Sequence, residues 1–136
     1  MKVFFQDVEV FTKNRTEVVD ITGLVEGVVR KSDVKNGLCL IHSVHSTTAI
    51  IVNENEAGLR NDIVKKVRGD YPEGAGWLHD KVDENADAHL ASSFIGASRI
   101  FPVKDGMLLR GTWQDIFLLE LDGPRLRRIM VEVMGE

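Results

Sequence analysis

Short polar motifs contain the residue types best able to do chemistry in this sequence. Their imidazoles can donate protons, accept protons or bind a metal, and their hydroxyls, amides and carboxylates can bind a polar ligand. The motifs are His45-Ser46-Thr47-Thr48, Asn53-Glu54, His79-Asp80, His89 and Trp113-Gln114. These residues are the candidates for a functional site.

The hydroxyl run after His45 is the first indication of what such a site binds. His45 comes at the end of a predicted strand, and three hydroxyl residues follow it. Hydroxyls and backbone N–H groups at a strand end can surround an anion, although turn formation accounts for the same residues equally well. Side chains alternate along a strand, so His42 points to the opposite face and is expected to be a packed or edge histidine.

The histidines also suggest a metal. His45, His79 and His89 supply three imidazoles, and three histidines with an open fourth position form a known catalytic zinc arrangement. Their spacing matches no compact zinc motif such as H-E-x-x-H. His89 also fits a packed position on a helix face. A zinc or magnesium site and purely hydrogen-bonding histidines therefore both remain open.

Composition and motif content exclude several classes of protein. The 136 residues carry a net charge of −4, which argues against a broad nucleic-acid surface. The single cysteine, Cys39, rules out a disulfide scaffold, and no apolar stretch approaches the ~20 residues of a membrane helix, so we expect a cytoplasmic protein. P-loop, dinucleotide-binding and G-x-S-x-G motifs are absent.

A short basic cluster follows Pro124 and consists of Arg125, Arg127 and Arg128. It is interpreted as a solvated face or an inter-subunit salt bridge.

The elements that must position these residues follow from hydrophobic periodicity and turn signals. Strands are predicted over residues 3–11, 38–45, 49–52, 99–103, 107–121 and 126–134. Helices are predicted over 21–29, from an Asn53 cap through Val67, and from an Asn85 cap to about Phe94, with a loop over 69–84. The expected fold is a single α+β domain over residues 1–136, with a mostly antiparallel or mixed sheet covered by two to three short helices.

Several of the motifs together resemble the YjbQ family, whose members are often labelled secondary thiamine-phosphate synthases. The matching segments are His45-Ser46-Thr47-Thr48-Ala49, Asn53-Glu54-Asn55, residues 79–96 and Gly111-Thr112-Trp113-Gln114. The resemblance implies a small α+β subunit that forms a homotrimer with polar pockets where subunits meet. It also implies a weak ability to make thiamine phosphate from phosphorylated metabolites.

The resemblance further implies roles for individual residues. Catalytic roles fall to His45, His79, His89 and Glu54, and substrate-binding roles to Ser46, Thr47, Thr48, Asn53, Trp113 and Gln114. The three histidines would hold any divalent metal, with Glu54 and Asp80 orienting the imidazoles. Many relatives carry a lysine where this chain has Ala91, so we expect phosphate to be held less well, or by Arg99 or Arg110.

Three functions are compatible with these residues. In thiamine-phosphate synthesis, a thiazole nitrogen displaces pyrophosphate from a pyrimidine methylene, and the main requirement is stabilisation of the leaving anion. The first alternative is a metal-assisted hydrolase or lyase that uses the histidines. The second alternative is a trimeric module that binds a small anion without turnover.

Overall fold

The computed structural model describes residues 1–136 as an α+β fold. The strands are β1 (Lys2–Phe11), β2 (Glu17–Asp20), β3 (Gly37–Ser43), β4 (Thr48–Asn53), β5 (Ser98–Lys104), β6 (Met107–Leu108), β7 (Asp115–Glu120) and β8 (Leu126–Gly135). The helices are α1 (Thr22–Ser32), α2 (Ala57–Asp70), α3 (Asp80–Asp83) and α4 (Ala86–Ile95). Every strand pair is antiparallel, which confirms the predicted fold class.

The strands form two sheets rather than the one sheet that the sequence suggested. The larger has the order β1-β8-β3-β5-β6, and the smaller has the order β2-β7-β4. In the smaller sheet, Glu120 at the end of β7 is opposite Thr48 at the start of β4. Asp115 at the other end of β7 is opposite Asn53. The smaller sheet therefore has two distinct ends, and each end carries some of the candidate residues.

Two apolar clusters hold the layers together. The first lies between the two sheets and α1, and it includes Val25, Val29, Ile41, Ile116, Leu118, Ile129 and Val131. The second lies between the smaller sheet and helices α2 and α4, and it includes Ala49, Ala88, Ala91, Phe117 and Leu119. Full burial of one such aliphatic or aromatic side chain contributes roughly 1.5–3 kcal/mol. The smaller sheet is thus apolar on both faces, and its polar chemistry is confined to its ends.

The strand predicted over residues 107–121 is broken in the structure. Only Met107–Leu108 and Asp115–Glu120 are strands. Between them, the Gly111 N–H donates to Gln114 Oε1 at 2.7 Å, and the Gln114 N–H donates to Gly111 O at 3.1 Å. These local bonds satisfy the backbone in a turn and compete with strand pairing. Trp113, which lies in the middle of the predicted strand, is 68% exposed in this turn.

Helix α2 also begins later than predicted. Asn53 was expected to cap the helix, but it ends β4, and its Oδ1 accepts the N–H of Glu54 at 2.8 Å. Glu56 is the cap instead, because its carboxylate accepts the N–H groups of Gly58 and Leu59. These two bonds lower the pKa of the Glu56 carboxyl, and the helix dipole favours the same negative charge.

The outward face of the larger sheet carries exposed apolar side chains. Val3, Phe5, Leu38, Ile100 and Met134 all project from it, and each is more than one-third exposed. No helix of this chain packs on these residues, because the helices contact the opposite face or the smaller sheet. None of the helices combines the length and apolar composition needed to cross a bilayer.

Candidate functional site

A polar cavity lies at the Thr48 end of the smaller sheet. Its volume is about 310 Å³, and its lining includes His45, Ser46, Thr47, Asn85, His89 and Arg127. These residues come from the β3–β4 connection, from the start and middle of α4, and from the start of β8. The structure therefore brings together four residues of the predicted site, His45, Ser46, Thr47 and His89, which are distant in sequence.

His45 is held in one tautomer by the backbone of β8. Its Nε2 accepts the N–H of Arg128 at 2.8 Å, so in the neutral ring the proton is on Nδ1. Burial lowers the pKa of His45 below its usual value, and the nearby Arg127 charge lowers it further, although Glu120 acts in the opposite direction. At neutral pH, His45 is therefore a neutral imidazole, and its Nδ1–H, which has no partner in the chain, can donate to a ligand.

A buried ion pair fixes the floor of the polar cavity. Arg127 is 2% exposed, and it donates from Nε to Glu120 Oε1 at 2.8 Å and from Nη2 to Glu120 Oε2 at 2.5 Å. Nη2 also donates to Thr47 Oγ1 at 2.8 Å. Glu120 also accepts from the Thr12 hydroxyl and from the N–H groups of Leu121 and Asp122. The pair joins β7 of one sheet to β8 of the other and holds the hydroxyl loop between them.

The protonation of Glu120 follows from these contacts. Burial alone would raise the pKa of the Glu120 carboxyl, but the hydrogen bonds from Arg127, Thr12 and Asp122 outweigh it, and the pKa is lowered. Glu120 is therefore ionised, and the pair is a true ion pair.

One nitrogen of the Arg127 guanidinium remains free. Nε and Nη2 are bonded to Glu120 and Thr47, whereas Nη1 makes no hydrogen bond within the chain. Nη1 is not among the fully covered side-chain atoms without a hydrogen bond, which are Arg15 Nε and Asn85 Oδ1. Arg127 lines the polar cavity, and its two Nη1–H groups are the permanently charged donors that the chain leaves unused.

A second, mostly apolar cavity adjoins the first across His89. It measures about 340 Å³, and Trp77, Leu78, Ala86 and Leu90 form its apolar walls. The rings of His79 and His89 meet edge to face there, with centroids 4.7 Å apart. The structure therefore places His79 beside His89, as the sequence suggested. The two cavities together can take a ligand with one charged part and one apolar part.

The remaining predicted site residues lie elsewhere. Thr48 is fully buried, and its hydroxyl bonds that of Ser43. Asn53, Glu54, Trp113 and Gln114 lie at the Asp115 end of the smaller sheet, which the six residues of β4 separate from the Thr48 end by roughly 17 Å. Within one chain, Glu54 and Gln114 therefore cannot act at His45.

The expected orienting carboxylates are also used differently. Asp80 accepts the N–H of Ala86 at 3.0 Å and so holds the start of α4 rather than an imidazole. The group that orients His45 is the backbone of Arg128. We therefore find no support in this chain for the predicted pairing of Glu54 or Asp80 with a histidine.

The residues expected to replace the missing lysine do not reach the polar cavity. Arg99 bonds the carbonyls of Ile95 and Ser98, and Arg110 pairs with Glu26 and Asp115 at the far end. Ala91 itself is buried against the smaller sheet. The permanent positive charge in the cavity lining comes from Arg127 and Arg125, and Asp83 adds a carboxylate to the same lining.

The geometry of the histidines does not fit a metal site within one chain. No group of three or more His, Cys, Asp or Glu side chains is arranged to hold a metal ion. His45 Nε2 is occupied by the Arg128 N–H, and His79 and His89 contact through their rings.

Strand periodicity indicates the buried ion pair, which was not among the predicted site residues. Arg127 has the same parity as the buried Ile129, Val131 and Val133 of β8, and Glu120 has the same parity as Ile116 and Leu118 of β7. Opposite charges at inward positions of two strands predict a buried pair, since such charges are buried only when paired.

Fold and site together define a class: a small α+β protein of two antiparallel sheets with an arginine- and histidine-lined cavity at one end. The chain matches the family model described as UPF0047 protein YjbQ-like over residues 6–136. It is 45% identical to a UPF0047 protein of Methanothermobacter thermautotrophicus over 136 residues, which cover 100% of this chain and 95% of that protein. It is 35% identical to the UPF0047 protein YugU of Bacillus subtilis over 131 residues, 93% of this chain and 96% of that one.

Solved structures agree with the sequence relatives. A YbjQ-like protein of Sulfolobus solfataricus superposes with a TM-score of 0.98 at 53% identity, covering 99% of each chain. A hypothetical protein of Aeropyrum pernix gives a TM-score of 0.95 at 42% identity, covering 97% of this chain and 98% of that one. The chain belongs to the YjbQ (UPF0047) family, which confirms the resemblance seen in its motifs.

Proposed function

We propose that the polar cavity binds the phosphate or pyrophosphate group of a small metabolite and supports a weak transferase reaction of the thiamine-phosphate-forming type. One observation carries the proposal: Arg127 and His45 line the same cavity, and Arg127 Nη1 and His45 Nδ1 have no hydrogen-bond partner in the chain. Two fixed donors, one of them permanently charged, suit an anion that must be held in one orientation.

The reaction requires little more than this arrangement. The thiazole nitrogen attacks the pyrimidine methylene carbon, the carbon–oxygen bond to pyrophosphate breaks, and pyrophosphate leaves with the electron pair. Arg127 and His45 stabilise the departing anion, with the hydroxyls of Ser46 and Thr47 beside them. The apolar cavity at Trp77 would hold the ring part of the substrate. No general base is needed at the carbon, so the reaction does not require a catalytic role for Asp83, the carboxylate residue in the cavity lining.

The compensated charges of the two arginines also favour a weak activity over a fast one. Glu120 accepts two of the Arg127 hydrogen bonds and offsets most of its charge. The only other arginine in the cavity lining, Arg125, donates to Asp122 at 3.2 Å. A leaving pyrophosphate of several negative charges is thus met mainly by hydrogen bonds, without lysine and with little uncompensated positive charge.

Binding of pyrophosphate by calorimetry at pH 7 with chelator present tests the proposal. We expect His45→Ala and His89→Ala each to weaken binding by about tenfold or more, since hydrogen bonds to charged groups contribute about 1.5–3 kcal/mol. His42→Ala is the matched control, because His42 hydrogen-bonds Ser98 on the outward face of the larger sheet. Equal affinities for all four proteins would refute the assignment of the cavity.

Turnover distinguishes an enzyme from a binding module. A pyrimidine pyrophosphate and a thiazole phosphate are incubated with wild type and with His45→Ala, and thiamine phosphate is measured. Product that depends on His45 supports a transferase. Tight pyrophosphate binding without product supports the alternative of an anion-binding module, and chelator-sensitive hydrolysis supports the metal-assisted alternative.

We also propose that the protein works as a homotrimer. The apolar side chains on the outward face of the larger sheet are of the kind that a partner normally covers. In a trimer, the Asp115 end of one subunit, with Glu54 and Gln114, would be free to meet the polar cavity of a neighbour. Sedimentation at micromolar concentration is expected to show about 45 kDa, three times the 15.2 kDa chain. A stable monomer would contradict this proposal.

Mixed oligomers test the shared site. We expect His45→Ala and Glu54→Gln to be inactive alone and to regain part of the activity when the two chains are co-expressed. The recovery follows because some neighbouring subunits then combine an intact Glu54 with an intact His45. No recovery from a mixture of proven mixed trimers would place Glu54 outside the site.

A further inference from the structure

Asn85 has an unusual hydrogen-bonding state in the wall of the polar cavity. The residue is 7% exposed, and its Nδ2 donates to Asp122 Oδ2 at 2.8 Å. Its Oδ1 is covered from solvent and has no hydrogen-bond partner. Buried side-chain oxygens are almost always paired in folded proteins, so an unpaired one calls for a physical reason.

The orientation of the amide follows from its surroundings. Asp122 also receives hydrogen bonds or ion pairs from Arg125 at 3.2 Å and Arg15 at 3.6 Å. If the Asn85 amide were turned over, its carbonyl oxygen would face the Asp122 carboxylate and both atoms would be acceptors. The observed orientation is therefore the favourable one, and it turns Oδ1 away from Asp122.

Helix capping, the usual local role of an asparagine oxygen at this position, is performed by another residue. Asn85 precedes α4 at the cap position, where an asparagine oxygen normally accepts a helix N–H. Here it makes no such bond, and Asp80 accepts the N–H of Ala86 at 3.0 Å instead. The cap is thus supplied by another residue, which leaves Asn85 Oδ1 without a partner in a residue that lines the cavity.

We propose that Asn85 is a specificity residue, and that the ligand of the polar cavity carries a hydroxyl or amino group that donates to Asn85 Oδ1. The inference rests on the proposed function, because Arg127 and His45 bind the phosphate of that same ligand. The substrate class is then a phosphate ester with a nearby donor rather than a simple phosphate. The donor must replace the atoms that now cover Oδ1, in the wall that Asn85 shares with Asp83 of the single turn α3.

Three probes of similar size test the inference by calorimetry: ethyl phosphate, 2-hydroxyethyl phosphate and 2-aminoethyl phosphate. We expect wild type to bind at least one of the two donor-bearing esters about tenfold more tightly than ethyl phosphate, as one hydrogen bond to a buried acceptor allows. Which of the two binds more tightly tells whether the donor is a hydroxyl or an ammonium group.

Substitution of Asn85 then locates the donor contact. Asn85→Leu, which keeps the volume and removes the acceptor, is expected to bring the affinity ratio to within about twofold, whatever its effect on ethyl phosphate itself. Glu84→Gln, at the exposed neighbouring position, is the control that keeps the wild-type ratio. An Asn85→Leu variant that weakens all three esters by one factor has lost only structure, and it would overturn the specificity role.

The outcomes also separate this inference from the proposed function. Equal binding of all three esters by wild type would overturn the role of Asn85 while leaving the anion site intact, and this comparison requires no variant to fold. Failure of wild type to bind any of the three would overturn the anion site, and the inference with it.

Discussion

The buried Glu120–Arg127 pair gives the sharpest test of how this fold holds its cavity. Replacing Glu120 with leucine removes the acceptor of two Arg127 hydrogen bonds, of the Thr12 hydroxyl and of two backbone N–H groups. The Arg127 guanidinium, 2% exposed, is then left without its counter-charge. The change therefore tests an unpaired buried charge as well as the loss of several hydrogen bonds.

The expected cost is large. Removal of one partner from a buried ion pair typically costs about 3–5 kcal/mol, because the remaining charge stays desolvated. At ~2.1 cal/mol/K per residue, the 136-residue chain has an unfolding entropy of about 0.29 kcal/mol/K near its midpoint. Each kcal/mol therefore lowers Tm by roughly 3.5 °C, and Glu120→Leu should lower Tm by about 10–17 °C.

A double variant separates the two contributions. In Glu120→Leu with Arg127→Met, the unpaired charge is gone, and apolar replacement of a whole buried pair is often close to neutral. We expect most of the lost stability to return, while pyrophosphate binding, which depends on Arg127 Nη1, stays lost. Denaturant unfolding at pH 7 and one fixed protein concentration measures the free energies, since assembly would make them concentration-dependent. A loss below about 1 kcal/mol in the single variant, or a double variant no more stable than the single, would refute the reasoning.

Two further predictions concern the histidines. Because burial and the Arg127 charge lower its pKa in the folded protein, the unfolded chain takes up its proton first as pH falls. The contribution of neutral His45 to the free energy of unfolding is present above the ordinary histidine pKa near 6.5, and it is lost as pH falls through the lower pKa of the folded protein. Wild type should therefore lose stability between about pH 7 and 5 by a component that is missing from His45→Gln. Metal analysis of protein purified without a histidine tag is expected to give well below one equivalent of zinc or magnesium per subunit; one full equivalent, with binding lost in His89→Ala, would restore the metal-assisted alternative.

Hydrophobic periodicity was sufficient to predict which side chains face the core where only one face of a strand is buried. The alternation on β8 places Ile129, Val131 and Val133 in the core, as its sequence pattern predicts. The same alternation assigns Arg127 to the inside, but an arginine is rarely buried without a partner. Its partner lies on a strand of the other sheet, and the pairing between sheets is set by packing rather than by local sequence. The arginine was therefore predicted to be on a solvated face.

The sequence also did not show that the candidate residues are divided between the two ends of the smaller sheet. His45 and Glu54 are nine positions apart, close enough in sequence to suggest one site. β4 is fully extended between them and carries Asn53 to the opposite end of the smaller sheet. Only the pairing of β4 with β7, which places Thr48 beside Glu120 and Asn53 beside Asp115, shows that a single chain contains two separate groups.

The use of a buried arginine instead of a surface lysine changes what the cavity can select. A lysine ammonium on a flexible stem follows an anion wherever it lies, whereas the Arg127 guanidinium is fixed by Glu120 and Thr47 and presents only Nη1. Its counter-charge is inside the protein, so the long-range attraction for anions is small, and recognition depends on the direction of the hydrogen bonds. We therefore expect the cavity to bind a bare phosphate weakly and to gain affinity from each correctly placed further group of the ligand. A donor that reaches Asn85 Oδ1, which is covered and unpaired in the chain, is the group that we propose.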